Sequence, residues 1–174
     1  MLSDVAMGRP TRSISHMKYP RDISQQHLVK MSKYLFNLVV VYADEARLQP
    51  DEAVTEINNQ SCDINSGFGG KYVWLQPEWV RVHEEAIADL SVTRSDAPIK
   101  NYNDLAMGAG GQFWYIQPSR GGSRFITKVS LFQAKQELSP EKIMSRIERS
   151  GFTHHSGDIN EGRGGDYLYL IWAY

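Results

Sequence analysis

Three short runs set the hydrophobic rhythm of the chain. In 72–75, 113–116 and 167–170 every residue is apolar or aromatic, and every first and third position is aromatic. Tyr72 and Trp74, Phe113 and Tyr115, and Tyr167 and Tyr169 fall on one face, while Val73 and Leu75, Trp114 and Ile116, and Leu168 and Leu170 fall on the other. A period of two predicts strands. A strand apolar on both faces must be covered on both or must display one of them. We assign the aliphatic faces to a common core. The aromatic faces, four of whose rings carry a hydroxyl that wants a polar partner, either form a second layer of core or stand open as a ligand platform. The run MSKYLFNLVVVYA from Met31 and the stretch 87–93 read as further strands.

Each aromatic strand is entered through the same phrase. It reads Gly67-Phe-Gly-Gly-Lys-Tyr-Val-Trp-Leu75, then Gly108-Ala-Gly-Gly-Gln-Phe-Trp-Tyr-Ile116, then Gly162-Arg-Gly-Gly-Asp-Tyr-Leu-Tyr-Leu170, with an Asp four positions before each first glycine: Asp63, Asp104 and Asp158. Glycines at these points suit turns that need positive φ, or a backbone nest for an anion or polar group. The aspartates suit Asx turns better than catalysis. Upstream, Tyr42-Ala-Asp-Glu-Ala-Arg-Leu-Gln-Pro50 parallels Phe132-Gln-Ala-Lys-Gln-Glu-Leu-Ser-Pro140 at an offset of 90, and Ala53, Val54 and Ile57 parallel Ile143, Met144 and Ile147. Proline followed by acidic residues is a helix start, so a short helix is predicted after both Pro50 and Pro140, with Ser139 as an N-cap. The middle copy lacks that segment.

Three strand units too small to bury a face alone must share one core. The expected fold is all-β: a pseudo-threefold β-prism of three antiparallel sheets with one or two short helices, a trefoil being the competing architecture. Residues 31–174 form that domain, in repeats of about 34–79, 80–120 and 121–174. Residues 1–30, polar and punctuated by Pro10 and Pro20, read as an N-terminal arm.

The phrases at 63–75 and 158–170 resemble the Asp-Leu-Asn-x-Gly-x-Gly-Gly-x-Tyr-Ile-Tyr-Leu signature of the multivesicular-body-associated β-prism domain, a family whose relatives accompany some perforin-like toxins. The middle copy departs from it, with Ala106 in place of the Asn. The resemblance implies an accessory module that binds membranes or their headgroups and has no catalytic residues. Jacalin-like lectins share the prism architecture, so glycan binding is an analogy of fold only.

Composition removes several alternatives. The 174 residues carry 19 Lys+Arg against 20 Asp+Glu, a formal charge of −1, so no basic footprint for nucleic acid exists. The single Cys62 excludes an internal disulfide, and without a basic neighbour in sequence it reads as a small buried residue. The longest apolar runs, 38–43 and 168–174, fall far short of the ~20 residues that span a bilayer, and no signal-like apolar stretch precedes the domain. A cytoplasmic or peripheral membrane location is the expectation. No P-loop, G-x-S-x-G, H-E-x-x-H or C-x-x-C motif occurs, so no catalytic residue and no cofactor is expected. The adjacent His154 and His155 would point to opposite strand faces, which disfavours a shared metal.

The expected function is therefore a non-enzymatic recognition module for a membrane headgroup or glycan, the alternative being an interaction protein whose aromatic face docks a partner chain. Arg120 and Arg124 flank a Gly-Gly turn suited to a phosphate. Exposed members of the phrases, Lys71, Tyr72, Trp74, Arg163 and Tyr167, are expected to complete the ligand site.

Overall fold

The structure is a computed structural model and describes residues 33–174; the N-terminal arm lies outside the described residues. Among the described residues seven strands form three antiparallel sheets. β1 (Tyr34–Ala43) pairs with β2 (Tyr72–Val80), and β3 (Asp89–Ser95) pairs with β4 (Phe113–Ser119). In the third sheet β7 (Tyr167–Ala173) lies between β5 (Lys128–Ala134) and the short β6 (His154–His155). Each sheet thus holds one glycine phrase at the mouth of its last strand in the chain, β2, β4 or β7.

All six aliphatic-face residues are buried and belong to one cluster that draws on the three sheets. In β1 the inward residues Leu35 and Leu38 are three apart, an odd spacing for a strand. A register shift between Leu35 and Asn37 absorbs the extra residue, so that both leucines reach the core. A closed ring of backbone hydrogen bonds ties the sheets together. Leu35 N donates to Ile126 O (2.7 Å), Ile126 N to Ile87 O (3.0 Å), and Ile87 N to Leu35 O (2.7 Å). One residue comes from each repeat and all three are fully buried, so no water competes for these bonds.

The aromatic faces are second-layer core at their inner positions. Tyr169 and Phe132 lie under α1 (Pro140–Ile147), whose Ile143 and Ile147 are buried one turn apart on the same side. Pro140 occupies the first helical turn as expected, and Gly151, in the left-handed region at φ 77°, closes the 3-10 turn that follows. In the middle copy the Tyr115 hydroxyl accepts a hydrogen bond from Ile99 N (2.9 Å), and Tyr102 meets the Tyr115 ring edge-on. The open platform is therefore closed over Trp74, Tyr115 and Tyr169.

No helix follows Pro50, contrary to the sequence parallel with Pro140. A 3-10 turn, Ala46–Leu48, precedes the proline, a turn closed by Ala53 N on Pro50 O follows it, and in 53–57 Glu56 then forms an isolated bridge to Leu131. That segment has strand edges to pair with: Val54 N donates to Leu75 O (2.7 Å), Leu131 N to Thr55 O (2.9 Å), and Ile57 N to Leu131 O (3.0 Å). Tertiary pairing outweighs a local preference worth only tenths of a kcal/mol per residue. Glu56, buried on the same segment, accepts hydrogen bonds from Asn58 N, Asn58 Nδ2, Gln60 N and Gln133 N, and so joins the first repeat to β5 of the third.

Candidate functional site

Strand polarity gives the three sheets two distinct ends. At one end the pairs Ala43↔Tyr72, Ser95↔Phe113 and Ala134↔Tyr167 bring the three glycine phrases together. At the other, Tyr34↔Val80, Asp89↔Ser119 and Lys128↔Ala173 lie next to the Leu35–Ile87–Ile126 hydrogen bonds. Seven-residue strands separate these turn and ring ends by about 20 Å.

The turn end is built from one device repeated three times. Oδ1 of Asp63 accepts from Asn65 N (3.0 Å) and Val73 N (2.8 Å). Asp104 accepts in the same way from Ala106 N and Trp114 N, and Asp158 from Asn160 N and Leu168 N, all four at 2.9 Å. Each carboxylate thereby closes an Asx turn and anchors the strand ten residues on. Burial pushes the Asp158 carboxyl up, against the two backbone N–H groups that stabilise its charge. All nine phrase glycines have φ between 74° and 86°. At Gly70 a further reason for glycine exists: a Cβ there would stand 2.5 Å from Ala109 N and Gly108 C of the neighbouring phrase.

The copies are joined at this end by named contacts. Lys71 N and Asn65 Nδ2 both donate to Met107 O, at 3.0 and 3.3 Å. Arg163 donates to Asn160 Oδ1 (3.2 Å) and Asn65 Oδ1 (2.7 Å), and its guanidinium lies 4.2 Å over the Phe68 ring. Burial pushes the Arg163 pKa down, while Asp104, Asp158 and Asp63 act in the opposite sense.

The sequence-predicted ligand residues do not form one constellation. Lys71, Tyr72, Arg163 and Tyr167 stand at the turn end, whereas Arg120 and Arg124 stand at the ring end. Trp74 is 1% exposed and stacked on half-buried Tyr72 (5.6 Å between centroids), so it does not face a ligand. Tyr167 is half-buried against the cluster under α1. Lys71 pairs with Asp44. Arg120 donates to the carbonyls of Glu85 and Phe36 and lies over the Phe36 ring (5.0 Å), which makes it a brace between repeats as well as a surface cation.

The ring end carries a pattern that the sequence reading missed. Lys33 stands over Trp79 (4.7 Å), Arg120 over Phe36, Arg124 over Tyr174 (4.5 Å), and Lys128 over Phe152 (4.1 Å). Tyr34, His83 and Phe125 add a mutually packed aromatic group beside them. The partners lie tens of residues apart, so only the strand register could have revealed the pairs. Val82, 54% exposed, tips the β2 turn at this end.

Among the described residues no group of three His, Cys, Asp or Glu side chains is placed to hold a metal. His154 packs on Trp172 and Tyr174 while His155 meets Tyr169, and burial holds His154 below the ordinary histidine range. Cys62 is half-buried and its thiol is pushed up by burial, which disfavours the nucleophilic thiolate. Among the described residues no helix is long and apolar enough to cross a membrane. No protein-family model matches the chain, and no curated protein matches it in sequence.

Proposed function

We propose that the chain is a β-prism module of the multivesicular-body-associated type and that its ring end docks on an anionic membrane surface. The observation that carries this reading is the concentration there of four of the five cation–aromatic pairs found among the described residues. Such pairs match a headgroup boundary. The ring sits at the level where apolar and polar phases meet, and an arginine stacked on it keeps its N–H edge for a phosphate. Each cation near an anionic bilayer contributes about 1 kcal/mol, and Lys33, Arg120, Arg124 and Lys128 together therefore supply about 4 kcal/mol before their acidic neighbours are counted. Glu84, Glu85 and Asp89 stand at the same end and reduce that figure. The association is accordingly weak and salt-sensitive, as suits a module that adds affinity to a larger assembly.

The turn end is the poorer candidate for an anionic headgroup. Asp63, Asp104 and Asp158 surround half-buried Arg163, and Asp44, Glu161 and Asp166 pair with the lysines and arginine nearby.

Co-sedimentation with phosphatidylcholine vesicles, with and without phosphatidylserine, tests the proposal. Arg124 has its ring contact with Tyr174 and no hydrogen bond among the described residues, so Arg124→Ala with Lys33→Ala should leave the fold intact and, by removing about 2 kcal/mol, reduce binding to the anionic vesicles by about thirtyfold. Equal sedimentation of wild type and variant, or no preference for phosphatidylserine at low salt, would refute it.

A further inference from the structure

The three-copy arrangement breaks its symmetry at one place, and the break leaves a hole. The second residue of each glycine phrase is Phe68, Ala109 and Arg163. Phe68 and Arg163 fill their share of the turn end and stack on one another, whereas Ala109 offers a methyl group. A second departure lies beside it. Asn65 and Asn160 each donate to a backbone oxygen six residues on, Lys71 O and Asp166 O, and Ala106 has no such donor for Gln112 O. A third departure is Trp114, which stands where the other copies have Val73 and Leu168. Its indole Nε1, buried, is the one buried side-chain polar atom among the described residues without a hydrogen-bond partner.

These differences coincide with a cleft of about 580 Å³ that all three copies line, through Phe68, Ala109, Gln112, Trp114, Glu161 and Arg163. The spaces beside the turns of the first and third copies measure about 260 and 240 Å³. A few hundred Å³ with a handful of convergent polar groups is the usual form of a small-ligand site. The lining mixes both hydrogen-bonding senses. Arg163 has five N–H donors, of which the two asparagines take two, and the Gln112 carbonyl and the Glu161 oxygen not taken by Arg94 can accept. An anion entering would face the three aspartates grouped around Arg163, beside a Glu161 whose charge Arg94 already pairs. A hydroxyl-bearing ring meets no such penalty, since each hydroxyl both donates and accepts, and its C–H face can lie against the half-buried Phe68 ring, with the buried Trp114 behind the wall.

We propose that the cleft opposite Ala109 is a binding site for a neutral sugar ring, distinct from the membrane-facing ring end and independent of it. The test is NMR titration of the full chain with mannose, galactose and N-acetylglucosamine, and with sodium sulfate as the anionic probe. The Trp114 indole N–H is assigned by its loss in Trp114→Phe. At least one sugar is expected to shift that resonance and the amides of 109–114 and 161–163 with millimolar affinity, and sulfate is not. Ala109→Phe gives the middle copy the side chain that the first copy carries, and should fill the cleft with at least a roughly tenfold loss of affinity. Should that variant fail to fold, Glu161→Ala removes an exposed acceptor from the same wall and should weaken binding in an intact protein. Absence of shifts with all three sugars, undiminished binding by the folded variants, or a response to sulfate alone would each overturn the proposal.

Discussion

Gly69 and Gly70 provide a matched pair for measuring how closely the repeats are pressed together. Both have positive φ, 75° and 81°, so an alanine at either position pays the same backbone strain, about 1–2 kcal/mol. They differ in what the new methyl would meet. At Gly69 nothing lies within 4 Å, whereas at Gly70 the Cβ would stand 2.5 Å from Ala109 N and 2.6 Å from Met107 O. Backbone atoms of a neighbouring phrase cannot rotate aside. The phrases must separate, which strains packing by about 1–3 kcal/mol and weakens the Lys71 N to Met107 O bond, worth about 1 kcal/mol. Gly69→Ala should therefore cost about 1–2 kcal/mol and Gly70→Ala about 3–6 kcal/mol, read as the difference between urea midpoints multiplied by a common slope. Equal destabilisation by the two variants would refute the close approach between the first and second phrases.

Glu56→Ala leaves the N–H groups of Asn58, Gln60 and Gln133 without their acceptor and should cost about 3 kcal/mol or more by chemical denaturation; a cost below about 1 kcal/mol would show that the segment 53–57 is not held by this carboxylate. Tyr42, whose hydroxyl donates to Asp104 O, and Tyr169 are both pushed up to about 12 by burial, so the folded state holds those protons more tightly than the unfolded chain does. Their contribution to stability is complete below about pH 10 and is lost as pH rises through about 12. Tyrosinate absorbance should thus show at least two phenols lagging the rest in the folded protein and none after unfolding.

Much of this fold is written in short-range signals. Strand period two placed Val73, Leu75, Trp114, Ile116, Leu168 and Leu170 in the core, and the Asp-to-Gly spacing marked turns that the aspartates close. Pro140 announced α1 because a helix covering Tyr169 and Phe132 has an apolar face to bury. The letters after Pro50 follow the same plan, yet strand edges at Leu75 and Leu131 claimed the backbone, and no local propensity reports the presence of such edges. The division of the candidate residues between two ends follows from polarity alone, since Lys71 precedes its strand and Arg120 follows one. The ring-end pairs and the hole opposite Ala109 depend on register between repeats, which a single chain read in order does not disclose.

Hydrogen exchange of the full chain, measured with and without phosphatidylserine-containing vesicles, tests the central claim most directly because it reports both ends at once. Docking by the ring end predicts slowed exchange at 81–85 and 120–127, with 67–71, 108–112 and 162–166 unchanged. Protection confined to the three glycine phrases, or none at either end while the protein co-sediments with the vesicles, would contradict it.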